Sequence, residues 1–173
     1  MRTYALELAE SALQFHAGAT TKTYGYNGNP FWGPTLLLKK GDTARMQLKN
    51  ALPEDTTTHW HGLLVPGPVD GGPHQIVARG STWRTDAFTV KNRAATYWYH
   101  PHMHAMTQKQ MTLGAGGFII VQDEAEAALD LPSTYGVDDI PLMLTSRRFM
   151  AEGEAANQFQ YTYTAYGDYL LAN

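Results

Sequence analysis

Punctuation restricts the fold of this chain more than any other feature. Short runs with β character recur along the sequence, and Gly, Pro, Asn and Asp interrupt each before it can lengthen. The runs cover residues 3–8, 13–16, 23–26, 35–38, 44–48, 57–61, 83–90, 96–100, 116–122 and 140–146. Between them stand Asn27-Gly28-Asn29-Pro30, Lys40-Gly41-Asp42, Pro66-Gly67-Pro68 and Asp70-Gly71-Gly72-Pro73. These residue types either reach positive φ or hold φ near that of a turn. Strands so short and so numerous predict an all-β sandwich or barrel. Two short helices are expected beside them, at 123–129, where Ala and Glu concentrate, and at 105–111.

A chain of 173 residues is long enough to bury a core without covalent staples. One domain is expected over residues 1–156. Residues 157–173 are rich in Tyr and Gln and poor in core aliphatics, and they read as a tail, either one more strand at 158–164 followed by a loose end or the beginning of something longer. Net charge is −3, and no long run of either sign occurs, so neither a nucleic-acid footprint nor a polybasic membrane patch is expected. No apolar run approaches the roughly 20 residues of a membrane span. The first residues lack the apolar core of a signal peptide, and none is expected.

The chain has no cysteine. Disulfides, thiolate zinc sites and iron–sulfur clusters are therefore excluded, and so is a blue-copper site, which needs a Cys ligand. Five of the seven histidines fall in two clusters, His59-Trp60-His61 and His100-Pro101-His102-Met103-His104. Each cluster closes a β-like run. Residues two apart on a strand share a face, with α-carbons roughly 6.5 Å apart. His59 and His61 then project together, with Trp60 opposite, and His100 and His102 do the same around Pro101. Two such pairs facing each other would offer four imidazoles to one metal or to neighbouring metals. Imidazole without thiolate suits Cu(II), Zn, Ni or Fe. His104 reads as a structural residue or a hydrogen-bonding one behind the ligands, with a fifth ligand as the alternative, His74 as a loop residue and His16 as structural. Asp70 follows the first pair closely; it is either a turn residue or a carboxylate able to orient water and relay protons.

Thr58-His59-Trp60-His61-Gly62, Val69-Asp70-Gly71-Gly72-Pro73 and Trp98-Tyr99-His100-Pro101-His102 together resemble the first domain of bacterial multicopper oxidases of the copper-efflux, laccase-like or bilirubin-oxidase-like kind. Tyr24-Gly25-Tyr26-Asn27-Gly28, Gly33-Pro34-Thr35-Leu36 and the stretch from Gly114 to Ile120 fit the same resemblance. It implies a cupredoxin-like Greek-key β-sandwich and copper as cofactor. It implies His59 as a ligand of a type 2 copper, and His61, His100 and His102 as ligands of a type 3 pair. Asp70 corresponds to an acid that assists reduction of dioxygen to water, with phenols, bilirubin-like compounds or Cu(I) as reductant. A periplasmic or extracellular location is implied as well.

Half of the family's cluster histidines and its type 1 copper site have no counterpart here, and the tail resembles the crossing into a second cupredoxin domain. The chain is thus expected to act with further cupredoxin domains or with another copy of itself as a homo-oligomer, and to be inactive or weakly active alone. A copper-binding cupredoxin-like module without turnover is the alternative reading. A mononuclear β-barrel enzyme using His59, His61 and a later histidine is a more distant one.

Overall fold

A computed structural model describes residues 1–150, 157–161 and 167–172. In chain order the strands are β1 (Arg2–His16), β2 (Ala19–Tyr26), β3 (Leu36–Lys39), β4 (Thr43–Ala51), β5 (His59–His61), β6 (Thr82–Arg84), β7 (Phe88–Thr89), β8 (Ala95–His100), β9 (Gly117–Gln122), β10 (Leu144–Arg147) and β11 (Tyr169–Ala172). Helix α1 (Thr107–Thr112) joins β8 to β9, and α2 (Glu124–Ala127) follows β9. One sheet has the order β2-β1-β4-β6, with β7 also on β4; the other has the order β3-β9-β8-β5. Each contains one parallel pair, β1 with β4 and β3 with β9. The two sheets form a cupredoxin-like β-sandwich, and β10 and β11 make a separate two-stranded ribbon.

Alternation explains which face of each strand turns inward. On β1, Tyr4, Leu6 and Leu8 are buried while Thr3, Ala5 and Glu7 are exposed. On β4, Ala44, Met46 and Leu48 do the same. From the opposite sheet come Leu36, Leu38, Trp60, Tyr99, Ile119 and Val121. Strand β9 lies between β3 and β8 and is buried on both faces from Gly117 to Val121, so its sequence is a continuous apolar run rather than an alternating one. Tyr26 and Tyr99 meet edge to face between the sheets, with ring centroids 5.0 Å apart. Burial pushes both phenols above their usual pKa, and each hydroxyl is hydrogen-bonded, Tyr26 with Thr58 Oγ1 and Tyr99 to the Pro34 carbonyl.

Several boundaries differ from those expected of the sequence. The runs at 3–8 and 13–16 are one strand, β1, because nothing between them breaks the pairing: Ser11 and Ala12 continue the ladder opposite Thr23 and Lys22. The run at 83–90 is split into β6 and β7. At the break Thr85 bonds β4 in another way, its hydroxyl accepting from Met46 N. The run at 140–146 becomes a strand only from Leu144, beyond Pro141. Of the tail strand expected at 158–164, residues 162–164 lie outside the described residues. Its start is packed: Phe159 is 1 % exposed in the core, bridged to Phe149, and Gln158 bonds Lys22 N and Thr20 O, and the end expected to be loose forms β11 on β10.

Candidate metal centre

Strand β5 is three residues long, and its middle residue anchors it. Trp60 is fully buried, donates from Nε1 to the Val69 carbonyl at 2.9 Å and stacks on Trp83. With Trp60 facing the core, the strand's period of two turns His59 and His61 away from it. Their ring centroids lie 5.6 Å apart. β5 pairs antiparallel with β8, in a register that sets His59 opposite His100. The two motifs, some forty residues apart in sequence, thereby share one sheet edge.

His59, His61 and His100 each offer a ring nitrogen, and these atoms all lie within 4.8 Å of one another. His102 sits just beyond β8; its ring is 5.4 Å from that of His59 and 5.8 Å from that of His100. His100 is buried, His59 half-buried, and His61 and His102 exposed, so the group is open to solvent on one side. His74 and His104 are exposed and stand outside the group. His16 packs against Phe149 and Tyr169.

The partners of each ring determine which nitrogen faces the centre. His59 Nδ1 is 3.0 Å from the Asp70 carbonyl oxygen and 3.2 Å from its Oδ2. A carbonyl only accepts, so Nδ1 carries the proton and the Nε2 lone pair is free. His100 Nδ1 donates to the Pro101 carbonyl at 2.8 Å, which frees its Nε2 in the same way. That Nε2 stands 3.1 Å from His61 Nδ1. Two nitrogens bound to one ion at about 2.0–2.1 Å each stand roughly 3 Å apart, so this pair has the spacing of two ligands of one metal. Burial, reinforced by the three neighbouring histidines, lowers the His100 pKa to about 4. The ring is therefore neutral at ordinary pH, the form that binds metal. A donor set of imidazoles without thiolate fits copper.

Asp70 reaches His59 through a tight turn. The chain passes Gly67–Val69 as a single 3-10 turn, and Gly71 follows with φ of +74°. A Cβ at Gly71 would stand 1.7 Å from the Thr58 carbonyl oxygen. Only glycine lets this loop lie against the backbone that carries His59, where the Asp70 carbonyl also accepts from Trp60 N. The two readings of Asp70, turn residue and functional carboxylate, are thus compatible in one residue.

Trp98 was not singled out from the sequence for any role at the centre. Its ring stacks on His100 at 4.2 Å and on His61 at 5.2 Å. The available signal was its place two residues before His100 on the same strand, hence on the same face.

A sequence profile of the family described as "Multicopper oxidase" matches residues 7–126. The multicopper oxidase mco of Staphylococcus aureus is 40% identical over 177 aligned residues, covering 99% of this chain and 38% of the relative. The cell division protein FtsP of Escherichia coli is 33% identical over 159 residues, covering 92% of this chain and 33% of the relative. Among solved structures, a laccase from Pediococcus acidilactici superposes with a TM-score of 0.89 at 36% identity, covering 99% of this chain and 37% of that one. The chain thus spans less than two fifths of the length of these relatives. Similarity of this kind extends from oxidases to a cell division protein, so fold alone does not specify the chemistry; the profile and the histidine group point the same way, and the chain belongs to the multicopper oxidase family.

Proposed function

We propose that this chain supplies part of a trinuclear copper centre, with His59 on the type 2 ion and His61, His100 and His102 on the type 3 pair. The observation that carries this reading is the 3.1 Å approach of His61 Nδ1 to His100 Nε2, with the opposite nitrogens of His59 and His100 already held by carbonyls. Copper bound there would take part in reducing dioxygen to water at the expense of a phenol, a bilirubin-like compound or Cu(I).

The chain's own residues do the rest. The Asp70 and Pro101 carbonyls fix the tautomers and aim the rings. The Asp70 carboxylate, half-exposed and 3.2 Å from His59 Nδ1, would steady the protonated side of that ring, and any part it takes in proton delivery would run through solvent beside the centre rather than through the imidazole. Trp60 and Trp98 hold the ring-bearing strands from behind and from the side.

The exposed side of the histidine group supports a centre completed by ligands from elsewhere, either further cupredoxin domains or a second copy of this chain. The exposed Leu142, Leu144 and Leu170 around the β10–β11 ribbon fit such an association, since apolar patches mark contact surfaces. A location outside the cytoplasm belongs to the same reading. Residues 1–156 would form the cupredoxin domain and 157–173 the connection to the next one.

The absence of cysteine favours a second reading, a copper-holding module without turnover. Oxygen uptake by the copper-loaded chain, with a phenol or Cu(I) as reductant, separates the two. Uptake abolished by His100→Ala supports an assembled oxidase centre. Copper retained with no uptake in a chain that has assembled with itself supports the module, whereas a monomer without uptake is what the first reading expects of a centre lacking its other ligands.

A further inference from the structure

Strand β8 ends at His100, and Pro101 has no N–H with which to continue the ladder. His102 therefore belongs to the histidine group yet lies past the strand. The antiparallel register pairs His59 with His100; two residues further along, the same register sets Thr57 opposite His102. There a side chain takes over from the ladder. The His102 N–H donates to Thr57 Oγ1 at 2.7 Å, and Thr57 is 0% exposed. The bond is part-buried, so losing this acceptor would leave the His102 amide with at most partial replacement by water and release the backbone it holds.

The threonines on either side serve other elements. Thr56 Oγ1 donates to Gln110 Oε1 on α1 at 2.8 Å, and Thr58 Oγ1 lies 3.0 Å from the Tyr26 hydroxyl. Of these three buried threonines, Thr57 alone bonds a histidine of the group.

We infer that Thr57 is a positioning residue for His102. Its hydroxyl ties the backbone of the outermost histidine of the second pair to the segment that carries the first pair. It thereby sets where an exposed imidazole stands relative to the His59 and His100 rings. The inference rests on the reading of the group as a copper site, and it adds a residue that touches no metal.

The test compares copper affinity, by competition with a chelator, among the unsubstituted chain, Thr57→Val, Thr57→Ser and His102→Ala, with circular dichroism confirming the fold of each. Thr57→Val removes the acceptor and is expected to weaken copper binding about 10- to 100-fold, as the loss of a group that orients a ligand does. Thr57→Ser keeps the acceptor and should restore binding. Placed in the His102→Ala background, Thr57→Val should change nothing further. Unaltered affinity in Thr57→Val, or the same loss with His102 already removed, overturns the inference. Hydrogen exchange of the His102 amide in the unsubstituted chain decides independently of any variant's folding: slow exchange is expected, and exchange at the rate of a free loop overturns it. Failure of the unsubstituted chain to bind copper would remove the metal reading instead, and the amide would still report on the bond.

Discussion

Gly71 shows how one residue can serve fold and site together. Its φ of +74° and the 1.7 Å gap to the Thr58 carbonyl leave no space for a β-carbon. The left-handed backbone alone costs a non-glycine residue about 1–2 kcal/mol, and displacement of the Thr58 backbone adds to it. Gly71→Ala should destabilise the chain by roughly 2 kcal/mol or more and should draw the Asp70 carbonyl away from His59 Nδ1. Chemical denaturation measures the first effect, and a loss under about 0.5 kcal/mol, the range of an ordinary surface substitution, would contradict it. At this scale much of the site was legible. The two His-X-His motifs pointed to His59, His61 and His100, whose ring nitrogens lie within 4.8 Å of one another, and the Asp-Gly turn pointed to Asp70, which lies beside His59. What was not legible was the nitrogen each ring presents, because Asp70 and Pro101 decide that through backbone carbonyls, and side-chain identity carries no trace of it.

At the scale of elements, β5 is the piece on which the site depends. Three residues make too short a strand to persist by its ladder alone, and Trp60 holds it by burial, a hydrogen bond to Val69 and stacking on Trp83. Trp60→Ala should cost about 3–5 kcal/mol and weaken metal binding beyond what its distance from the rings suggests, because His59 and His61 would lose their common footing. Thermal unfolding together with a copper titration checks this; a stable variant with unaltered binding would contradict it. The strands were legible wherever alternation was clean, as in β4 and the first half of β1, whereas the middle of β1, from Ala9 to Ala12, carries no run of its own. They were misjudged where side chains replaced backbone pairing. Residues 57 and 58 carry β-forming threonines, yet their hydroxyls bond His102 and Tyr26, and the strand proper starts only at His59. At the break between β6 and β7, Thr85 keeps one backbone bond, its N–H to the Met46 carbonyl, while its hydroxyl takes the Met46 N–H in place of a carbonyl.

For the whole molecule, the sandwich brings two distant motifs to one sheet edge and leaves their outer side open. The all-β class followed from turn spacing, but the convergence of His61 on His100 did not. It comes from the β5–β8 register, which no local pattern encodes. His61 and His102 face solvent at the histidine group, and Leu142, Leu144 and Leu170 are exposed around the β10–β11 ribbon. The most direct test of the account is copper content after loading and exhaustive dialysis, measured with molar mass by light scattering on the same sample. It should be run on the unsubstituted chain and on a His61→Ala, His100→Ala double variant. Roughly one or more copper ions should be held per unsubstituted chain and lost from the double variant with the fold intact. A chain that retains no copper, or a double variant that retains as much as the original, would contradict the assignment of the histidine group as the metal centre.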